Sequence, residues 1–447
     1  MRLNLKRVTA FGVFMGLLWV IVSYSSLLEF RTISSVKPNI IDLETKINKL
    51  ERQISDQVNE SHKLLDKING MKKTEDEIDK DAVDVSGNNE EEINNNGNPV
   101  LPVLVISCNR VTVKRCLDNL IKFRPSKETF PIIVSQDCGH NATYQVIRSF
   151  VDADPASVSV VLQPDLSEIA LPKPGVKLRG YYKIARHYRF ALNHVFRTVG
   201  HEAVIIIEDD LDISPDLFEY FLGTYPLLLK DPSLWCVSAW NDNGKRELID
   251  ASRPELLHRT DFFPGLGWLL RRDSWLRLEP KWPDAFFDDW LRNPANTDGR
   301  ACIRPEISRT YSFGKVGVSN GLYFDVHLRH MHLNTEYVEF TKLNLTYLLK
   351  ENYDRALDAT LAALPTASAA EAVAGAGAGG GSAGGVRVPY SDAKGFRRAA
   401  KKLGLMDDFR SGVPRTAYRG VVACFVRGRR VYLAPDKPWT KYDPAWG

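Results

Sequence analysis

The chain reads as an α/β protein, an open, doubly wound sheet whose ligands bind beyond the carboxyl ends of its strands. Three features predict this. Apolar runs of strand length alternate with helical stretches from Val100 onward. The first two runs, Pro102–Arg110 and Phe130–His140, bracket a helix. Charged residues then gather where the runs end, at Arg110, Asp137 and Glu208–Asp210.

Between the first two runs, Val113, Cys116, Leu117, Leu120 and Ile121 keep helical spacing. The unit is therefore βαβ, with parallel strands and a right-handed crossover. Val158–Asp165 and Ala203–Asp210 supply further strands, separated by the helical stretch Tyr181–Phe196. Ser214-Pro215 reads as the next helix start, with Asp212 or Ser214 available as its cap.

Ala203–Asp210 raises the chemical question. Val204 to Ile207 is apolar enough for burial on both faces, yet it runs into Glu208, Asp209 and Asp210. Adjacent carboxylates repel, and burying an unpaired one costs several kcal/mol. A hard divalent cation offsets that cost, and carboxylates suit magnesium or manganese, which keep waters and take substrate phosphates as further ligands. With the helix cap available downstream, the metal reading is the better one.

The 447 residues, 44% hydrophobic and 26% charged, leave room for two or three globular domains. A net charge of +4, from 59 basic against 55 acidic residues, argues against a nucleic-acid partner. Val8–Leu28 carries no charge and has the ~20-residue length that spans a bilayer. Arg2, Lys6 and Arg7 precede it, which orients the N-terminus inward and predicts an uncleaved type II anchor. A cleaved signal peptide would have a shorter apolar core and a clearer small-residue cleavage site.

Residues 29–99 are polar and poor in aromatics, a stem rather than a folded unit. Leu43, Ile47, Leu50 and Ile54 keep heptad spacing that resumes at Leu64 and Ile68, with Gln57 and Ser61 in the seam between. That pattern fits a short coiled coil pairing two stems into a homodimer, and equally a solvated single helix.

The strings FPIIVSQDCGH, GYYKIARHYR, EDDL, DPSLWCVSAWNDNGK, EPKWPDAFFDDW and GRACIRPEISRT, in this order, are identified as those of the N-acetylglucosaminyltransferase I family, glycosyltransferase family 13. The likeness runs from about Pro102 to Lys350 and returns from Phe396 to the C-terminus. It implies a glycosyltransferase A fold with a mixed sheet, a catalytic domain at 100–350 and a smaller domain at 389–447. The Ala/Gly-rich segment 351–388 falls largely outside it and reads as a flexible insertion.

The resemblance further implies inverting transfer of N-acetylglucosamine from UDP-GlcNAc to an α-1,3-arm mannose of a five-mannose N-glycan, in the Golgi lumen, with Mn2+. Asp210 becomes the metal ligand. Glu208 and Asp209 would meet sugar or ribose hydroxyls. Arg110, Asp137 and His187 correspond to the nucleotide site, and Val318 and Ser319 to a loop closing over the diphosphate. A single displacement needs a base on the acceptor side. On the residues alone Asp288 and Asp289 are even choices; the resemblance selects Asp288. It also puts a Trp where this chain has Phe287. A related transferase acting on O-linked mannose, or a carbohydrate-binding scaffold that has lost catalysis, are the rival readings.

Six cysteines fit an oxidising lumen, but spacing leaves the pairing open. The resemblance implies Cys108 with Cys138 and Cys236 with Cys302, leaving Cys116 and Cys424 as thiols. Sequons stand at Asn59, Asn141 and Asn344.

Overall fold

The computed structural model describes residues 97, 99–171, 175–315, 317, 321, 324–375 and 385–446. The anchor Val8–Leu28, the heptads from Leu43 to Ile68, Asn59, Val318 and Ser319 lie outside the described residues. No helix among the described residues is long and apolar enough to cross a membrane.

The centre is one mixed, eight-stranded sheet. Its strands are β1 (Val103–Ser107), β2 (Ile132–Gln136), β3 (Val158–Leu162), β4 (Ala203–Glu208), β6 (Leu234–Ser238), β7 (Leu257–Thr260), β8 (Trp268–Arg271) and β9 (Ala301–Pro305), in the order β3-β2-β1-β4-β8-β6-β9-β7. From β3 to β4 the pairings are parallel, while β8 runs antiparallel to both β4 and β6. The omitted β5 (Leu211–Ile213) forms a two-stranded antiparallel ladder with β10 (Thr310–Ser312).

Alternation along β1 and β4 makes the sheet a middle layer. Val103, Val105, Ile205 and Ile207 face one core with Cys116, Leu117 and Leu120 of α1 (Val113–Phe123). Leu104, Ile106, Val204 and Ile206 face the other, packed on Ala185, Tyr188 and Leu192 of α3 (Arg179–Asn193). Between these helices in chain order comes α2 (Asn141–Ala153), which begins at the sequon residue Asn141 and adds Ile147 to the first core. Strands buried on both faces read as continuous apolar runs, which is why β1, β2 and β4 were visible in the sequence.

The helix after β5 differs from expectation. It is α4 (Leu217–Lys230), with Asp216 at its N-cap position and no side-chain cap. Asp212 instead accepts from Arg115 and Asn119 of α1, and Ser214 Oγ donates to Asp216 Oδ1 at 2.6 Å. Arg309, fully buried, draws Asp216 into an ion pair at 3.0 Å, so neither predicted residue caps the helix.

The chain then forms α5 (Arg272–Leu278) and the short α6 (Phe287–Leu291). Of the segment 351–388 expected to be a flexible insertion, the part before 375 contains α7 (Lys350–Ala363, which starts one residue ahead of it) and α8 (Ala369–Ala374), while its residues 376–384 lie outside the described residues. Alanine is the strongest helix former, and Ser368 with Glu371 closes a capping box on α8. Strand β11 starts at Val386, ahead of the expected boundary at 389, and pairs in parallel with β15 (Arg429–Pro435). With β14 (Val422–Val426), α9 (Ala393–Leu403) and the hairpin of β12 (Phe409–Arg410) and β13 (Val413–Pro414), it surrounds a third core including Val388, Phe396 and Leu433.

Cys108–Cys138 and Cys236–Cys302 are disulfides, and Cys116 and Cys424 are buried thiols. This is the pairing the resemblance implies.

Candidate active site

The carboxyl ends of β1, β2 and β4 build the site. Parallel register sets Ser107 beside Gln136 and Ile106 beside Glu208, so Cys108, Asp137 and Asp209 leave the sheet side by side. Backbone bonds hold these exits: Asp209 N donates to Ile106 O at 3.0 Å, and Asp137 N to Ser107 O at 2.9 Å. The Cys108–Cys138 disulfide ties the β1 and β2 exits covalently.

The three adjacent carboxylates diverge. Glu208 Oε1 accepts from the Tyr188 hydroxyl of α3 at 2.7 Å. Asp209 Oδ2 accepts from Ser107 Oγ at 2.8 Å and Cys108 N at 3.3 Å. Asp210 pairs with Arg110, whose Nη1 also lies 3.5 Å from Asp209 Oδ1. Burial, then the Asp210 charge, raises Glu208 to about 7 and Asp209 to about 6. Burial works against the Arg110 cation, but Asp210 and Asp209 outweigh it and its pKa rises. The site therefore holds more negative charge than Arg110 alone balances.

Asp210 Oδ1 is buried with no hydrogen-bond donor. Such an oxygen costs about 1–3 kcal/mol. Among the described residues no three His, Cys, Asp or Glu side chains converge on one point. One carboxylate with an unsatisfied oxygen still fits a magnesium- or manganese-like ion, which keeps waters and takes its remaining ligands from substrate phosphates.

The segment after β10 covers this corner. Phe313 N donates to Asp210 O at 3.0 Å, which brings Gly314 against the Asp210 carboxylate. A Cβ on Gly314 would collide with that carboxylate, and one on Gly317 would stand 2.6 Å from Arg110 Nη2. Close approach requires glycine at 314, whereas at 317 the end of the long Arg110 side chain could shift aside.

Asp137 is buried, and its Oδ1 accepts from Cys138 N at 2.6 Å. His187 is only 3% exposed, with Nε2 2.8 Å from Ser135 Oγ. Burial lowers its pKa to about 4 against the opposing pull of Asp137. The structure thus sets His187 behind Asp137 as a packed, neutral ring.

On the far side of Tyr188 lies α6. Phe286, just before it, takes a left-handed φ of 53° and stacks on Tyr181 at 4.5 Å. A bulky residue there costs about 1–2 kcal/mol, and the stack holds it in place. Phe287 packs on Tyr188 at 4.2 Å and Trp282 at 5.3 Å. The side chain of Asp288 is then 44% exposed, and Arg292 Nη1 donates to Asp288 Oδ2 at 2.7 Å and Asp289 Oδ1 at 2.8 Å. Asp289 also accepts from Arg410 Nε at 2.9 Å, so it is the more tightly held of the two.

Sequence reasoning missed Ser107, Tyr188, Arg292, Arg410 and Gly314. Tyr188 had a faint signal, because it lies on the apolar face of α3 with Ala185 and Leu192. Arg410 had none, being more than a hundred residues from its partner.

A family model described as the GNT-I family matches residues 8–446. An Arabidopsis thaliana protein named alpha-1,3-mannosyl-glycoprotein 2-beta-N-acetylglucosaminyltransferase is 36% identical over 342 residues, 76% of this chain and 74% of its own. Among solved structures, the mannosyltransferase PcManGT from Pyrobaculum calidifontis, in complex with GDP-Man and Mn2+, is 17% identical with a TM-score of 0.31, covering 46% of this chain and 55% of that one. The S. aureus TarS 1-349 structure in complex with UDP-GlcNAc is 12% identical with a TM-score of 0.30, covering 57% and 64%.

Proposed function

This chain belongs to the GNT-I family, and from that premise we propose that it transfers N-acetylglucosamine from UDP-GlcNAc, in β-1,2 linkage, to the α-1,3-arm mannose of a five-mannose N-glycan. The observation that carries the reading is Tyr188. Its buried hydroxyl is bonded to Glu208, and burial followed by Glu208, Asp210 and Asp288 pushes its pKa far up. Tyr188 thus stands between the strand-end carboxylates and the helix that carries the base candidate, which leaves the two on different elements flanking one side chain.

In this reading Asp210 would hold Mn2+, which when bound neutralises charge on the departing diphosphate. Arg110 adds a fixed cation there. Asp137 faces the nucleotide base, with His187 behind it, and Glu208 and Asp209 accept from sugar or ribose hydroxyls. Ser319 belongs to the segment continuing from Gly314 and Gly317. Asp288 takes the proton of the mannose 2-hydroxyl as that oxygen bonds to the anomeric carbon and the bond to the UDP oxygen breaks, its electron pair leaving with UDP. Arg292 orients Asp288. The fold is read as glycosyltransferase A with a smaller C-terminal domain.

The same reading places the catalytic region in the Golgi lumen behind a type II anchor at Val8–Leu28, with a stem that pairs two chains. Two disulfides suit that oxidising compartment. Incubating detergent-solubilised full chain with UDP-GlcNAc, Mn2+ and a five-mannose glycan tests it. The expected product gains one β-1,2-linked residue by mass and NMR. Transfer to an O-mannosyl peptide instead would move the acceptor, and no transfer would overturn the reading.

A further inference from the structure

A cavity of about 280 Å3 opens beside the base helix, bounded by Lys245, His327, Asp408, Arg410 and Arg415. We propose that it binds a second sugar ring of the acceptor glycan, next to the mannose that is modified; this rests on the transferase reading above.

Position supports it. Arg410 lines the cavity and donates to Asp289, which shares Arg292 with Asp288. A ring seated there is therefore close to the acceptor oxygen that Asp288 serves, and the cavity is too small for a whole branched glycan.

Charge identifies the class of ligand. Arg415 Nε donates to Asp408 Oδ1 at 2.8 Å, and its Nη1 to Asp242 Oδ1 at 2.7 Å. Arg410 Nη1 lies 3.3 Å from Asp408 Oδ2. The two guanidinium groups are thus already matched by carboxylates, so neither is left as an unpaired seat for an anion. What remains is a wall of donors and acceptors together, suited to a neutral polyhydroxylated ring. Burial, then Lys245 and Arg415, lowers the His327 pKa, so this ring is neutral at pH 7 and offers both an N–H and a lone pair. Lys245 has no ion-pair partner among the described residues and is available to sugar oxygens. Specificity for a branched acceptor follows from such polar groups, because an acceptor lacking the ring leaves them unpaired.

The test is steady-state kinetics of the solubilised full chain with the five-mannose glycan. Lys245→Ala with His327→Ala breaks no ion pair of the network and should raise the glycan KM about tenfold, with kcat and the UDP-GlcNAc KM within about twofold. Asp408→Asn should do the same while also loosening Arg415. An unchanged glycan KM in both variants, or a loss in kcat at constant KM, would overturn the subsite. A wild-type chain that transfers nothing to the glycan fails the parent reading instead, and is seen before any variant is made.

Discussion

The Tyr188 hydroxyl donates to Glu208 Oε1 at 2.7 Å, and its ring packs on Phe287 at 4.2 Å. One residue of α3 thereby couples the acidic end of β4 to the helix that carries Asp288. Tyr188→Phe keeps the packing and removes the donor, leaving a buried carboxylate oxygen unsatisfied. The expected loss is about 1–3 kcal/mol of stability, read from urea unfolding, together with a weaker UDP-GlcNAc KM. Unchanged values of both would remove Tyr188 from the site.

Asp210→Ala should abolish transfer and metal-dependent nucleotide binding together, because the diphosphate loses its bridge to the protein. Calorimetric titration of UDP-GlcNAc with and without Mn2+ checks this. Wild-type transfer that persists in excess chelator would count against the assignment.

Gly314→Ala should act like a mild version of that change. The added methyl collides with the Asp210 carboxylate, so one of the two must move. Nucleotide affinity is expected to fall at least tenfold with little change in melting temperature; wild-type affinity would show that the segment after β10 stands further from Asp210.

Asp288→Asn keeps size and most hydrogen bonding but takes no proton, so kcat should fall by about 10² to 10⁴ with donor affinity nearly unchanged. Asp289→Asn weakens the contacts with Arg292 and Arg410 and should act through local structure. If Asp289→Asn alone loses turnover with binding intact, the base moves by one residue.

His187 gives a pH signature. It is neutral in the fold down to about 4, whereas the unfolded chain protonates it near 6.5. Below 6.5 the unfolded state binds more protons, so this contribution, about 3 kcal/mol, is complete above 6.5 and is lost as pH falls towards 4. The difference in unfolding free energy between wild type and His187→Gln should shrink across that window. A pH-independent difference would mean that His187 titrates normally.

The sequence by itself determined the central strands, the βαβ start and the acidic strand end. Strands buried on both faces must be apolar throughout, and a carboxylate run such as Glu208–Asp210 has no reason to end one of them unless it opens on a site. It also carried the family strings and, through them, the disulfide pairs.

Only tertiary structure decided what each carboxylate contacts. Glu208, Asp209 and Asp210 are adjacent in the chain yet turn to Tyr188, Ser107 and Arg110, because pleat and turn point successive side chains apart. The cap predicted at Asp212 or Ser214 went elsewhere for the same kind of reason: Arg115 and Arg309 are remote charges that local propensity does not see. Arg410 reaching Asp289, and the cavity it lines, arise where two distant segments meet. No spacing rule encodes such a meeting, since it depends on how separate cores pack and not on any period within one element.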